Sequence, residues 1–277
     1  MRSLLFTLLA MAGAAPLAAQ TDCTAGHLPY NSNEARLLRK FEVPLAFSPG
    51  GAPPQLTRGQ VTIGFDLTYL PRIDSATATP TYCRPGKPAE NVNLIAVVPR
   101  PRIAIGLGRG YVLEGSWIPP VKLNGVKADL FGFALSRGWS LSDVARFTAR
   151  LHGTIGQIDA NITCTAAQIR SSGPAQCAGL PAPSDDRFQP NIFGIEALVD
   201  WTIPGWLFRP YAGVGYDIER PRFQVDPKNT LVNQPVNGNF TRPALFGGFT
   251  MRMGRAFDLS GEVYAVPGDA VTGRVGV

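Results

Sequence analysis

The chain alternates apolar and polar residues with a period of two over most of its length, and its polar positions mix glycine with charge. The stretch "RPYAGVGYDIER", residues 209–220, shows both features. Every second residue up to Ile218 is apolar, whereas the intervening set contains two glycines besides Arg209 and Asp217. Successive side chains of a β-strand point to opposite faces, so this period predicts a strand with one apolar and one polar face.

The same period recurs in ten stretches that are separated by turn-rich segments. We therefore predict an all-β chain of about ten antiparallel strands. Eight or twelve strands remain as alternatives, because boundaries taken from a period are uncertain by several residues. The stretches are 61–70, 102–108, 111–118, 128–136, 145–156, 192–203, 209–220, 244–253, 257–266 and 270–277.

The composition of the polar face indicates whether that face lines an enclosed interior or contacts bulk water. Glycine adds nothing to a solvated face and weakens a strand, but it suits a narrow barrel interior where side chains from opposite walls share limited space. This favours a barrel whose apolar face contacts lipid and whose polar face lines the lumen. The alternative is a soluble, secreted, disulfide-bonded β-sandwich or lipocalin-like binding protein, in which the apolar faces point inward.

The connections between the predicted strands alternate between short and long. The short ones lie near 108–110, 137–141, 204–206 and 254–256, and the long ones near 71–101, 119–125, 159–190 and 221–242. This pattern is typical of transmembrane up-and-down barrels, which have short periplasmic turns and longer outer loops. An even strand number also puts both termini of the chain on the periplasmic side. Aromatic residues near strand ends fit interface girdles: Tyr69, Trp117, Trp139, Trp201, Trp206 and Tyr216.

The first 60 residues differ from the rest. Residues 1–20 have an early arginine, an apolar run and a small-residue stretch, which predicts a cleaved secretory signal peptide. Residues 21–60 form an N-terminal periplasmic segment with one short helix near 33–41, capped by Ser32. This segment could be an ordered tail, a periplasmic cap or a plug in the barrel mouth. Residues 61–277 form the barrel.

The four cysteines predict disulfides, because an exported chain folds in an oxidising compartment. Cys164 and Cys177 bracket a polar loop and are the preferred pair, which leaves Cys23 with Cys83. No C-x-x-C occurs and there are two histidines, so we expect no metal and no other cofactor. The net charge of +6 is dispersed, so we expect no nucleic-acid partner.

The stretch at 209–220, followed by "ALFGGFTMRMGRAFDLSGEVYA", resembles outer-membrane β-barrel proteins of Gram-negative bacteria, of the OmpA/OmpW type. The resemblance covers roughly residues 61–277 and implies the bacterial outer membrane as location and its lipid as partner. Such chains usually end in an aromatic residue, which serves as an insertion signal, whereas this one ends "VTGRVGV". We expect either a missing C-terminus or an unusual signal.

The inward charges form the candidate site. We expect them to pair across the lumen, as a structural network or as the lining of a narrow pore. The favoured function is a structural or surface-exposed barrel or a narrow pore for small solutes, monomeric and without enzymatic activity, with any extracellular ligand left open. A second alternative is a barrel enzyme acting on lipid or peptide, with His152 as base beside Asp200 or Ser136. The predicted lumenal network comprises Arg146, Arg150, His152, Glu196, Asp200, Arg209, Asp217, Glu219, Arg252 and Glu262.

Overall fold

The structure is a computed structural model that describes residues 28–83, 86–170, 177, 180–226, 235–254 and 257–277. Three helices and fourteen strands lie in this part of the chain. The helices are α1 (Asn33–Leu45), α2 (Ser75–Ala78) and α3 (Ala166–Arg170). The strands are β1 (Val61–Tyr69), β2 (Val97–Gly108), β3 (Tyr111–Ile118), β4 (Lys122–Leu123), β5 (Val126–Ser140), β6 (Ala145–Ala160), β7 (Asp186–Gln189), β8 (Ile192–Trp201), β9 (Phe208–Glu219), β10 (Arg222–Gln224), β11 (Pro235–Asn237), β12 (Phe240–Met253), β13 (Phe257–Val266) and β14 (Ala270–Gly276).

Ten of these strands close into a barrel. Strand β1 pairs with β2 on one side and with β14 on the other, so the sheet has no free edge along this seam. The order around the ring is β1, β2, β3, β5, β6, β8, β9, β12, β13 and β14, with antiparallel neighbours throughout. The all-β fold class and the strand number of ten are confirmed.

The long connections carry the remaining strands, all at one end of the barrel. Strand β4 forms a hairpin with the start of β5, across a turn in which Asn124 and Gly125 both have positive φ. Strands β7, β10 and β11 pair in series beside the end of β6. We call this end the long-loop mouth and the opposite end the short-turn mouth.

The barrel has an apolar exterior and a polar interior. Ile63 and Ile195 are 84% and 58% exposed on the outer face, whereas Arg150 is 1% exposed inside. The outward-facing apolar side chains therefore do not pack together in a dry core, as the soluble alternative requires. Among the described residues, no helix has the length and apolar character that a bilayer span requires.

Two strands begin four or more residues earlier than the sequence period predicts. Strand β2 begins at Val97 rather than at residue 102, and β12 begins at Phe240 rather than at residue 244. Both additions contain proline, namely Pro99, Pro101 and Pro243, which has no backbone N–H to donate in a sheet. The prolines made these strand starts resemble loops.

Residues 28–60 run through the barrel, with exposed residues at both ends of this range and a buried stretch at 42–53. Leu28 N–H donates to Asn237 at the long-loop mouth, and Gly59 N–H donates to Gly106 at the short-turn mouth, just before β1. Between these points α1 and the extended stretch after it cross the whole lumen; we call residues 28–60 the lumenal segment. The structure thus places it in the lumen rather than outside the barrel at the periplasmic end. Residues 1–27, with the predicted signal peptide, lie outside the described residues.

Helix α1 begins where the sequence predicts and extends further. The Ser32 hydroxyl accepts from the Ala35 N–H at 3.2 Å, which is the expected N-cap. The helix continues to Leu45 instead of ending near Phe41. Leu45 is buried with Val98, Ile118 and Leu130 of the wall, so the last turn packs against apolar residues that the sequence period alone did not place there.

Candidate functional site: the charged lumen

Strand register brings the central charges together. Arg150 on β6 pairs directly with Glu196 on β8, and its guanidinium contacts the Glu196 carboxylate at 2.6 Å. A second nitrogen donates to the Ser48 hydroxyl of the lumenal segment at 2.8 Å. All of these groups are buried, so the ion pair also fixes the segment against the wall.

A glycine between two strands allows the central histidine to reach an aspartate. Gly194 lies in register between His152 and Asp217, and His152 Nε2 is 3.2 Å from Asp217 Oδ1 across it. A Cβ atom on Gly194 would lie 2.2 Å from that carboxylate oxygen and 2.4 Å from the histidine nitrogen. Tyr264 donates to the other carboxylate oxygen at 2.8 Å. The inward glycine is therefore required by space, as its position in the polar face indicated.

A second cluster holds the extended part of the lumenal segment. Arg274 on β14 contacts Glu262 at 3.0 Å, and Tyr211 donates to the same carboxylate at 2.9 Å. The Arg274 guanidinium also donates to the carbonyl oxygens of Ala46 and Ser48 at 3.0 and 2.9 Å. Extended backbone inside a barrel has no sheet partner, so these side chains satisfy its carbonyls.

A third cluster joins α1 to the wall near the long-loop mouth. Arg242 on β12 pairs with Glu219 on β9 and with Asp269 at 2.7 Å, and Arg39 of α1 contacts the same aspartate at 2.9 Å. Glu42 of α1 lies 4.0 Å from the Arg242 guanidinium. We call Arg39, Glu42, Glu219, Arg242 and Asp269 the helix cluster.

Glu42 is the unusual member of the helix cluster because it is fully buried beside other acids. Burial raises the pKa of Glu42 well above its ordinary value, the Glu219 carboxyl beside it raises the pKa further, and Arg242 opposes both. Asp217 adds to the rise. Glu42 is therefore a group that holds its proton to higher pH than an exposed glutamate.

The residues of the predicted lumenal network thus lie in different parts of the barrel. Arg150, His152, Glu196, Asp217, Glu219 and Glu262 are buried in the three clusters. Asp200 and Arg209 form a looser pair at 3.5 Å, and Arg146 lies over Gly138, all on the short-turn side. Arg252 is not in the lumen network: its side chain is 79% exposed at the end of β12 beside Asp258. The prediction for Arg252 was wrong because the alternation continues to the end of β12, which lies beyond the enclosed part of the barrel.

Several polar residues of the lumen were missing from the predicted network. Those on strands share the inward parity, so the same period could have found them. Those of α1, and Asp269 in the turn between β13 and β14, had no such signal. The missing residues are Arg39, Glu42, Asp66, Arg100, Arg102, Glu114, Tyr211, Arg242, Tyr264, Asp269 and Arg274.

The surroundings of His152 bear on the enzyme alternative. His152 is 2% exposed and faces Glu196 and Asp217, whereas Asp200 instead pairs with Arg209. Ser136 donates to the Val112 carbonyl on the neighbouring strand. The residues proposed as a base and its partners are therefore not assembled around an accessible space. Within the described ranges, no group of three His, Cys, Asp or Glu side chains could hold a metal ion.

The predicted Cys164–Cys177 disulfide is present, with a Cα–Cα distance of 5.5 Å. It closes the loop that leads from β6 to β7, and the Asp186 carboxylate accepts from the Thr163 N–H at the base of that loop. Cys83 is buried, whereas Cys23 lies outside the described residues, so the second pairing stays a prediction.

Comparisons with known proteins add little to the description of this chain. No protein-family model matches the chain, and no curated protein matches it. One solved structure that is similar is that of "Copper transporter OprC", with 11% identity, a TM-score of 0.30 and an alignment over 77% of this chain. The alignment spans 38% of the length of that protein. We draw no conclusion about copper or transport from a likeness of this size.

Proposed function

We propose that this protein is an integral outer-membrane β-barrel that its own lumenal segment closes to passage, and that it serves as a structural or surface-exposed membrane protein. The observation that carries the proposal is the lumenal segment, which crosses the barrel from one mouth to the other and is bound by buried charged side chains. An OmpA/OmpW-type relationship within that class rests on the pattern at 209–220.

The exterior supports the membrane part of the proposal. Apolar side chains around the ring, such as Ile63, Val214 and Val263, are more than half exposed. A monomeric soluble protein rarely leaves an apolar patch of more than a few hundred Å² in water. Around most of the ring the backbone hydrogen bonds are made between neighbouring strands, which is the condition for crossing a bilayer with strands. The lipid of the outer membrane is therefore the proposed partner, with the protein as a monomer.

The lumen supports the closed form over the narrow pore. Arg274, Arg150 and Arg100 reach the lumenal segment from three separate strands, and the Thr154 hydroxyl donates to the Leu45 carbonyl at 2.9 Å from β6. Moving the segment aside would leave these buried donors unpaired, at about 1–3 kcal/mol each and more for charged groups. A pore for small solutes would need that displacement.

The test is made on refolded protein in two steps. Heat-modifiable migration in gels and resistance to protease in vesicles test the barrel in a membrane, and recovery of the folded chain in buffer without detergent would support the soluble alternative instead. Planar-bilayer recording then tests closure. We expect no steady current from the wild-type chain. A stable ohmic conductance from every insertion would reject the closed form in favour of the narrow pore.

A matched pair of variants makes the recording specific to the lumenal segment. Arg274→Met removes the guanidinium that binds the Ala46 and Ser48 carbonyls, so we expect brief openings that the wild type lacks. Arg252→Met changes an exposed arginine at the mouth and should stay silent. Silence of both variants in protein shown to be inserted would mean that Arg274 does not hold the segment in place.

A further inference from the structure

The barrel wall is incomplete between β2 and β3. Strand β2 pairs with β1 from Val97 to Ile105, but its pairing with β3 begins only at Arg102. Residues 97–101 therefore have no strand partner on the β3 side. Strand β3 itself continues to Ile118, where it pairs with β5, so both margins of the gap are ordered strands.

Proline explains why the gap does not close. Phe65 of β1 exchanges hydrogen bonds with Val277 on its far side, so the backbone of its partner Pro101 points away from β1, toward β3. Pro99 has the same parity and points the same way. Both residues lack the N–H that a ladder to β3 would need. On the other margin, Pro119 and Pro120 follow β3 directly.

A cavity of about 400 Å³ opens at this gap, and every side chain that lines it is apolar. Its lining comes from both faces of the wall: Val98 and Leu130 are buried inside, whereas Phe65 and Val97 are 42% and 44% exposed outside. A cavity bounded by both faces of one sheet passes through that sheet. Its inner end reaches Phe41 of α1, where a second apolar cavity of about 80 Å³ begins.

We propose that this cavity binds the hydrocarbon chain of a membrane lipid, which enters sideways between β2 and β3. The proposal rests on the proposed membrane location. The size lies within the range of about 300–1,000 Å³ for small-molecule pockets, and the absence of polar lining excludes a headgroup from the interior.

The surroundings of the gap identify the membrane as the source. The outer face beside it carries exposed apolar side chains, so the cavity is continuous with the surface that would contact lipid. Trp117 stands at the β3 margin, where its ring is exposed and its indole N–H donates to Asp129 at 3.0 Å. Tryptophan in this setting is typical of the bilayer interface, where acyl chains meet headgroups.

The test uses full-length protein in phosphatidylethanolamine/phosphatidylglycerol vesicles that contain a phosphatidylglycerol with a diazirine in its acyl chain. After illumination, labelled peptides are mapped by mass spectrometry. We expect label on lumen-side residues, such as Leu94, Ile95 or Ile158, as well as on outward residues. Label on outward residues alone would overturn the lipid-chain proposal while leaving the membrane barrel intact, and no label at all would reject the membrane location itself.

Cavity-filling variants make the test specific. Ala128→Phe and Ala160→Phe each add a ring to the lining, and Ala212→Phe adds the same ring to the outer face of β9. In variants that keep heat-modifiable migration, we expect the first two to lower lumen-side labelling by about tenfold, which corresponds to about 1.4 kcal/mol of lost binding. Ala212→Phe should leave it unchanged. Equal labelling in all three would overturn the proposal.

A competition arm separates the lipid chain from a free fatty acid. Unlabelled palmitate is added at a small fraction of the total lipid, and lumen-side labelling is measured again. Labelling that persists supports a chain of the bilayer lipid, whereas labelling that palmitate abolishes would reassign the cavity to a free fatty acid and overturn the stated source.

Discussion

Helix α1 contacts two walls of opposite character. On one side Arg39 and Glu42 meet Asp269 and Arg242, and on the other Phe41 and Leu45 face apolar residues of β2, β3 and β5. We call these the charged wall and the apolar wall. Strand pairing is continuous in the charged wall, between β9 and β12, whereas the gap lies in the apolar wall.

The difference between the two walls shows how one side of a barrel can have continuous strand pairing while the other side has a gap. Buried charges need specific partners at fixed distances, so the charged wall is complete wherever it touches α1. Apolar contacts are non-directional, so the apolar side chains of this wall can border a cavity without needing partners at fixed positions. Closure to ions and access for hydrocarbon are therefore compatible in one lumen.

Breaking the charged wall should have the largest effect. Arg242→Met leaves Glu219, Asp269 and Glu42 without their shared cation, and the loss of one partner from a buried ion pair costs about 3–5 kcal/mol. Urea unfolding in detergent, followed by tryptophan fluorescence, measures it. Arg252→Met on the same strand is the matched control and should stay within about 1 kcal/mol, because that side chain is exposed. Equal effects of both would refute the importance of the charged wall.

Shortening a side chain in the apolar wall should cost less. Leu130→Ala removes a buried side chain that borders the cavity, so we expect about 2 kcal/mol, the lower end of the range for this change. The same urea titration applies, with outward Leu135→Ala on β5 as control. A loss above that of Arg242→Met would show that the two walls contribute in the reverse order.

A third change tests how tightly the lumenal segment packs against the wall just after the C-terminal end of α1. A Cβ on Gly132 would lie 2.7 Å from the Phe47 ring and 2.5 Å from the Ser116 hydroxyl. Overpacking of this kind costs about 1–3 kcal/mol, and we expect the low end because the hydroxyl can rotate away. Gly273→Ala, where a Cβ meets open space, is the control. No difference between the two would mean that the segment shifts freely in the lumen.

The smallest change in stability is expected for Glu42→Gln, with the effect in its pH dependence. The pKa of Glu42 is raised on folding, so its protonated form is favoured in the folded chain, and wild-type stability should fall as the pH rises from the ordinary glutamate pKa through the raised value. Glutamine cannot ionise, so that part of the profile should be absent in the variant. Parallel profiles for both chains would show that Glu42 is not the source of the pH dependence.

The barrel itself could be predicted from the sequence because its signal is periodic. Alternation gave ten strands and their faces, and it placed Arg150, Glu196 and Asp217 on the inner side before any register was known. It did not give the pairings, because register depends on how adjacent strands slide past each other. The exposed position of Arg252 shows that parity alone does not say where the enclosed lumen ends.

The lumenal segment and the gap could not be predicted in this way. Residues 46–60 carry no period, since their partners are side chains from several strands rather than one neighbour. The first half of β2 reads as a loop because Pro99 and Pro101 interrupt it. Inside the apolar wall both faces are apolar, so residues such as Val97 and Val98 lose the contrast on which the period depends.

The course of residues 28–60 also constrains how the molecule is assembled. The gap between β2 and β3 covers only residues 97–101 of β2, so a chain of more than thirty residues does not enter the lumen through it. Either the ring closes around these residues, or they are drawn through it lengthwise afterwards. The join between β1 and β14 is short: three registered residue pairs, from Asp66 to Thr68 on β1, and the Phe65–Val277 hydrogen-bonded pair beside them. We therefore infer that β1 and β14 pair last, and that the ring closes around residues 28–60.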